Sequence, residues 1–177
     1  AMGLNDTHHI ARIVIHPTNS DVVYVAAMGH LFSKNEERGV FRTRNGGKTW
    51  EKVLYVNDAT GAIDLVINRK SPGTLYAAMY EKHRTPWQLV LGGPGSGVYR
   101  TDDGGATWRR LDGLPTGNVG RIGLDIHQRN PRVLTVIVAN LNTRKEGMPP
   151  RIDACQASGA RGGGQADGGR GGRVDGP

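Results

Sequence analysis

The chain has 177 residues, a formal net charge of +7, 27 glycines and one cysteine. That length is enough for one ordinary domain with a core of its own. The lone Cys155 excludes an internal disulfide framework and a thiolate metal centre, and no apolar run reaches the ~18 residues of a membrane-spanning helix.

The opening "AMGLNDTHH" has no basic stretch followed by an apolar core, so it does not read as a signal peptide. It leads into "IARIVIHPTNSDVVYVAA", residues 10–27, which is two apolar runs around a turn rich in Pro, Asn and Ser. The pattern predicts a β-hairpin. A polar stretch, "GHLFSKNEER", follows over residues 29–38. Then come "GVFRT", the turn phrase "TRNGGKTW" and a further short strand, "EKVLYV", at residues 51–56.

The same order then recurs. "AIDLVINRKSPGTLYAA" predicts a second hairpin, and Tyr76 stands 52 residues after Tyr24. A longer middle stretch, "EKHRTPWQLVLGGPGSG", leads to "GVYRT", "TDDGGATW" and "RRLDGL" at residues 109–114. A third hairpin, "IGLDIHQRNPRVLTVIVA", is not followed by a third turn phrase. No segment sustains a 3.6-residue period, so almost no helix is expected.

Sequence-similar units of four short strands, repeated every 50–60 residues, are the signature of β-propeller blades. The predicted fold is therefore all-β: a partial β-propeller of four-stranded antiparallel blades, about two and a half of them. Residues 7–56 form blade one, residues 57–114 blade two, and residues 115–142 the first half of blade three. Residues 143–177 form a Gly/Arg-rich tail or a truncated loop insertion, expected to be disordered because it has too little apolar surface to offset chain entropy. A ring normally closes with four to eight blades, so the chain reads as a fragment of a longer protein whose remaining blades are its partners.

The duplicated phrase has a physical reading. Asp103 can fold its carboxylate onto its own turn, Gly104 and Gly105 permit positive φ, and Trp108 can wedge between neighbouring sheets. These residues resemble the Asp-box, or bacterial neuraminidase repeat, with the pattern S/T-x-D-x-G-x-T-W. Thr101, Asp103, Gly105, Thr107 and Trp108 match it fully. Thr43, Asn45, Gly47, Thr49 and Trp50 match with Asn45 in place of Asp. An amide accepts hydrogen bonds without charge assistance, so the first turn is expected to be the softer one.

From residue 3 to residue 142 the chain resembles exported bacterial Asp-box propellers related to the sortilin-type propeller. The resemblance implies a secreted or periplasmic parent protein that binds a glycan or peptide ligand. The alternative is a fragment of a carbohydrate-active hydrolase, sialidase- or xyloglucanase-like, with an incomplete catalytic set here. In such folds ligands meet the rim opposite the Asp-box turns.

Two groups are candidates for that rim. Asn5–Arg12, "NDTHHIAR", brings His8, His9 and Arg12 into an innermost strand, where Asp64 and Arg121 stand near the corresponding points of the next units. Charged residues there pair around the channel or meet a polar ligand, and Asp64 is the candidate catalytic acid. His8 and His9 should point to opposite sides. Asp6 and His8 can share a side, but two ligands are too few for a closed zinc site, so no metal is expected. The second group is the middle stretches, with His83, Arg84 and Trp87 suited to stacking on a sugar or gripping a peptide. No cofactor motif is present, and "GGPGSG" reads as a flexible connector lacking the Lys-Ser/Thr ending of a phosphate loop. The tail's Arg-Gly-Gly units are few and interrupted by Asp167 and Asp175, so nucleic acid is not an expected partner.

Overall fold

A computed structural model describes residues 2–143. Among them no helix is present. The first sheet runs β1 (His9–His16), β2 (Asn19–Gly29), β3 (Gly39–Thr43) and β4 (Glu51–Leu54) in simple antiparallel order. The second runs β5 (Thr60–Ile67), β6 (Leu75–Glu81), β9 (Gly97–Thr101) and β10 (Arg109–Arg110) in the same order. A short hairpin, β7 (His83–Arg84) with β8 (Leu89–Val90), is inserted between β6 and β9. β11 (Val119–Ile126) and β12 (Leu134–Asn140) form a third, two-stranded sheet. This is a partial propeller: two whole blades and the inner half of another. The expected tail and Cys155 lie outside the described residues.

The repeat is visible in the register. Val23 to Ala27 pair with Gly39 to Thr43, and Leu75 to Met79 pair with Gly97 to Thr101, position for position. The innermost strands repeat an irregularity as well. Each slips register near its start, between Ile10 and Arg12, between Ala62 and Asp64, and between Val119 and Ile122. A bulge at this point turns the strand's first residues out of the ladder and re-aims their side chains.

The core lies in the seams between sheets. The first seam packs Tyr24, Ala26, Val40 and Leu54 against Ala62, Leu65, Leu75, Ala77 and Met79. The second packs Tyr76, Ala78 and Val98 against Val119, Ile122, Leu124 and Ile126. Each large aliphatic buried there contributes roughly 1.5–3 kcal/mol. Burial patterns follow. β6 is covered on both faces and buried from Leu75 to Tyr80, whereas β1 is largely open, with Ile13 61% exposed. On the far side Ile137 of β12 is 75% exposed.

Three local readings need correction. The fourth strand of the second sheet is only Arg109–Arg110, because the chain turns through Gly113 at φ +79° and sends Leu111 and Leu114 into the second seam instead. The first sheet's fourth strand likewise stops at Leu54 rather than Val56. The "GGPGSG" segment is seated rather than loose. Gly95 N–H donates to Glu81 Oε2 at 2.9 Å, and Glu81 N–H donates to Ser96 Oγ at 3.0 Å. A Cβ on Gly92 would stand 2.7 Å from the Val119 carbonyl oxygen, so that glycine is required by close backbone approach.

Candidate ligand-binding rim

Antiparallel order sets the two ends of each blade. The starts of β1 and β5 and the loops from β2 to β3 and from β6 to β9 lie at one end. The duplicated turns, between β3 and β4 and between β9 and β10, lie at the other. There Gly46 N–H donates to Asp21 O and Gly104 N–H donates to Gly73 O, each tying a turn to the hairpin bend beside it.

The rim is built on a buried arginine. Arg38 has no exposed surface and spreads its guanidinium over backbone carbonyls, donating to Met28, His30 and Ser33 at 2.7, 2.6 and 2.8 Å. It holds the β2–β3 loop in one path. Glu37 ties the chain's entry to the same loop, accepting from Asp6 N–H and Thr7 Oγ1. The sequence places Glu37 and Arg38 in a middle stretch at the rim, but their structural roles, one clamping the loop and one tying down the entry, were not legible in "KNEER".

A pocket of about 240 Å³ opens on this frame, lined by His9, Ile10, Met28, His30, Leu31, Ile63 and Lys82 among others. His9 Nδ1 lies 3.0 Å from Gly29 O. A carbonyl only accepts, so Nδ1 is the donor in this contact and Nε2 is left to face the pocket. Apolar walls with a few polar groups are the usual make-up of a small-ligand site. Beside it, Arg84 N–H donates to Leu31 O at 2.9 Å and joins the middle loops of the two blades. Two large aromatics crown the joined loops: Phe32 is 71% exposed and Trp87, at the tip of the β7–β8 hairpin, is 89% exposed. At that exposure Trp87 is not packed onto its own blade.

The innermost residues are arranged otherwise. Arg12 Nε donates to Asp64 Oδ1 at 2.9 Å, and the same oxygen accepts from Leu65 N–H. Asp64 Oδ2 accepts from Leu124 N–H at 2.9 Å. One carboxylate thus clips the first strands of all three sheets together. Arg121 is exposed beside Tyr80, whose hydroxyl is pushed up in pKa by burial and drawn back by that guanidinium.

His8 and His9 part, though not by strand alternation, because His8 lies before β1 rather than in it. His9 turns to the Gly29 carbonyl, while His8, in the left-handed region at φ +54°, stacks on His30 with ring centroids 3.8 Å apart. His30 Nε2 meets Asp6 Oδ1 at 2.8 Å and its Nδ1 meets Ser33 Oγ at 2.7 Å. Asn35 Nδ2 donates to Asp6, and with the His30 contact it holds the Asp6 carboxyl below its usual range. Counting from sequence stopped at Asp6 and His8. His30 joins them because Arg38 and Asn35 fold the loop back over the entry strand.

Four-stranded antiparallel blades packed face to face through apolar seams define the fold as propeller-type. An ancestral GH74 enzyme of known structure shares it, with a TM-score of 0.53 and 16% identity over 76% of this chain and 17% of that one. A GH74 enzyme of Niastella koreensis aligns with a TM-score of 0.49 and 18% identity, over 72% of this chain and 17% of that one. In sequence, 97 residues are 29% identical to a probable oligoxyloglucan-reducing end-specific xyloglucanase of Neosartorya fischeri, covering 51% of this chain and 11% of that protein. No protein-family model matches the chain.

Proposed function

We propose that this chain is a glycan-contacting segment of a larger propeller, and that the rim carrying Phe32, Trp87 and the His9–Lys82 pocket is where the glycan lies. The carrying observation is the pair of exposed aromatics on loops tied together by the Arg84–Leu31 bond. Pyranose rings present flat C–H faces that stack on aromatic rings, and the pocket's His9 and Lys82 supply hydrogen-bonding groups for hydroxyls. Arg84 and His83 flank the Trp87 hairpin and serve the same surface. The similarity to a xyloglucanase points to xyloglucan-type oligosaccharides as the ligand class. The exposed faces at Ile13 and Ile137 are the seats of further blades, and the parent protein is an exported one.

In this reading the segment recognises rather than cleaves. Ordinary glycosidases need two free carboxylates flanking the bond, and both oxygens of Asp64 are committed to Arg12, Leu65 and Leu124. Asp64 and Arg12 therefore position the blades. Hydrolysis by the parent protein remains the second reading, favoured by the same sequence similarity. Calorimetric titration with xyloglucan oligosaccharides tests the proposal. Binding should fall about tenfold in Trp87→Ala, about 1.4 kcal/mol, the upper end of a lost aromatic contact. Binding that is absent, or unchanged in both Trp87→Ala and Phe32→Ala, overturns it.

A further inference from the structure

We propose that Asp6, His8 and His30 form a binding site for a divalent transition-metal ion of the Zn²⁺ type. The inference stands independently of the glycan reading.

One donor atom from each of the three residues lies within 4.8 Å of the others. Two imidazoles and one carboxylate are a donor set that suits zinc and its neighbours rather than calcium or magnesium. Three protein ligands leave the remaining positions to water, which is the pattern of an open rather than a purely structural centre.

Backbone geometry supports the assignment. His8 is one of two non-glycine residues with positive φ among the described residues. That conformation costs roughly 1–2 kcal/mol for a residue with a Cβ. It is held by the Asp6–Glu37 and Thr7–Glu37 bonds on one side and the His9 N–H to Thr7 O bond on the other. The outcome is that the His8 ring, still exposed on its outer side, stacks on His30.

The surrounding groups are those that orient metal ligands. Ser33 Oγ sits 2.7 Å from His30 Nδ1 and can accept a hydrogen bond from it, an arrangement that leaves Nε2 available to ligate an ion. Asn35 clamps the other end. It donates to Asp6 Oδ2 and to the Asp6 carbonyl, and its own Oδ1 accepts from His30 N–H. His30 Nε2 and Asp6 Oδ1 lie 2.8 Å apart. A tetrahedral ion with bonds of about 2.0–2.2 Å to each would need those atoms about 3.3–3.6 Å apart. Opening by roughly half to three-quarters of an ångström, with the two stacked rings splaying, accommodates it.

The test is a titration of the 177-residue protein, on a Cys155→Ser background, with Zn²⁺ by calorimetry and with Co²⁺ by visible absorption. One ion per chain is expected, with d–d bands of a nitrogen- and oxygen-coordinated Co²⁺. His8→Gln, His30→Gln and Asp6→Asn should each weaken binding at least about tenfold, and Asn35→Ala by about tenfold through the ligands it holds. His16→Gln, at the opposite end of β1, should leave the affinity unchanged. Thermal melts without metal identify any variant that has lost its fold, and Ser33→Ala, on the exposed loop, supplies a further variant expected to weaken binding. No saturable binding, or an affinity unmoved by His8→Gln and His30→Gln in folded protein, overturns the proposal.

Discussion

The two duplicated turns make nearly the same internal bonds and live in different company. In the first, Thr43 Oγ1 accepts from Gly47 N–H at 2.9 Å, and Asn45 Oδ1 accepts from Thr49 N–H at 3.0 Å. In the second, Thr101 Oγ1 accepts from Gly105 N–H at 2.9 Å, and Asp103 Oδ1 accepts from Thr107 N–H at 2.9 Å. One bond is reversed: Asn45 Nδ2 donates to Thr49 Oγ1, whereas Thr107 Oγ1 donates to Asp103 Oδ2 at 2.5 Å. Outside the turns the difference is larger. Trp108 packs into the seam between the sheets, and both Tyr24 and Arg42 of the first sheet donate to the Gly104 carbonyl. Trp50 packs with Leu4, Val25, Ala27 and Phe41 on an outer face and donates its indole N–H to Met2 O at 2.6 Å. A repeated phrase dictates a turn's own geometry, while the adjoining sheet decides how firmly the turn is held.

The largest test of that contrast is the pair of tryptophans. Trp108→Ala opens a seam shared by two sheets and should cost about 3 kcal/mol in denaturant unfolding, against about 1–2 kcal/mol for Trp50→Ala. Equal costs would show that the turns are held alike. Next are the matched tyrosines. Tyr24→Phe removes the bond to Gly104 and should cost about 1 kcal/mol. Tyr76→Phe should cost less, because the position 52 residues on has no third turn to reach among the described residues.

The turn carboxylate gives a smaller, pH-dependent effect. The Thr107 hydroxyl, then Thr107 N–H and the Thr101 hydroxyl, hold the Asp103 carboxyl well below its ordinary value of 3.8. A depressed folded pKa stabilises fully above the unfolded value, and that contribution is lost as pH falls toward the folded one. Asp103→Asn should therefore lower stability at neutral pH and flatten the acid limb of the pH–stability curve below about pH 4. An acid limb identical to that of the parent would refute the assignment. The smallest effect is the reciprocal change. Asn45→Asp should add a few tenths of a kcal/mol at pH 7 by restoring the charge-assisted bond, with thermal melting as the readout.

The repeat, the strand order and the position of the turns were legible because each rests on local chemistry: alternating apolar runs, glycine pairs and a tryptophan at a fixed offset. The rim was only partly so. Trp87 and His83 could be named from their loop, and Arg12 could be set opposite Asp64 by alignment. The His30 contact with Asp6 spans 24 residues and depends on the buried Arg38 folding the loop back, which no local pattern encodes. The seating of "GGPGSG" on Glu81 was hidden for the same reason, since a glycine needed for close approach is spelled like one needed for freedom.

The central claim is that ligands meet the loop rim and that the duplicated turns serve only as corners. Hydrogen–deuterium exchange with and without a saturating xyloglucan oligosaccharide addresses it directly. Protection should rise in residues 29–38 and 81–92 and stay unchanged in residues 43–50 and 101–108. Protection confined to the duplicated turns, with the rim loops unaffected, would contradict the account.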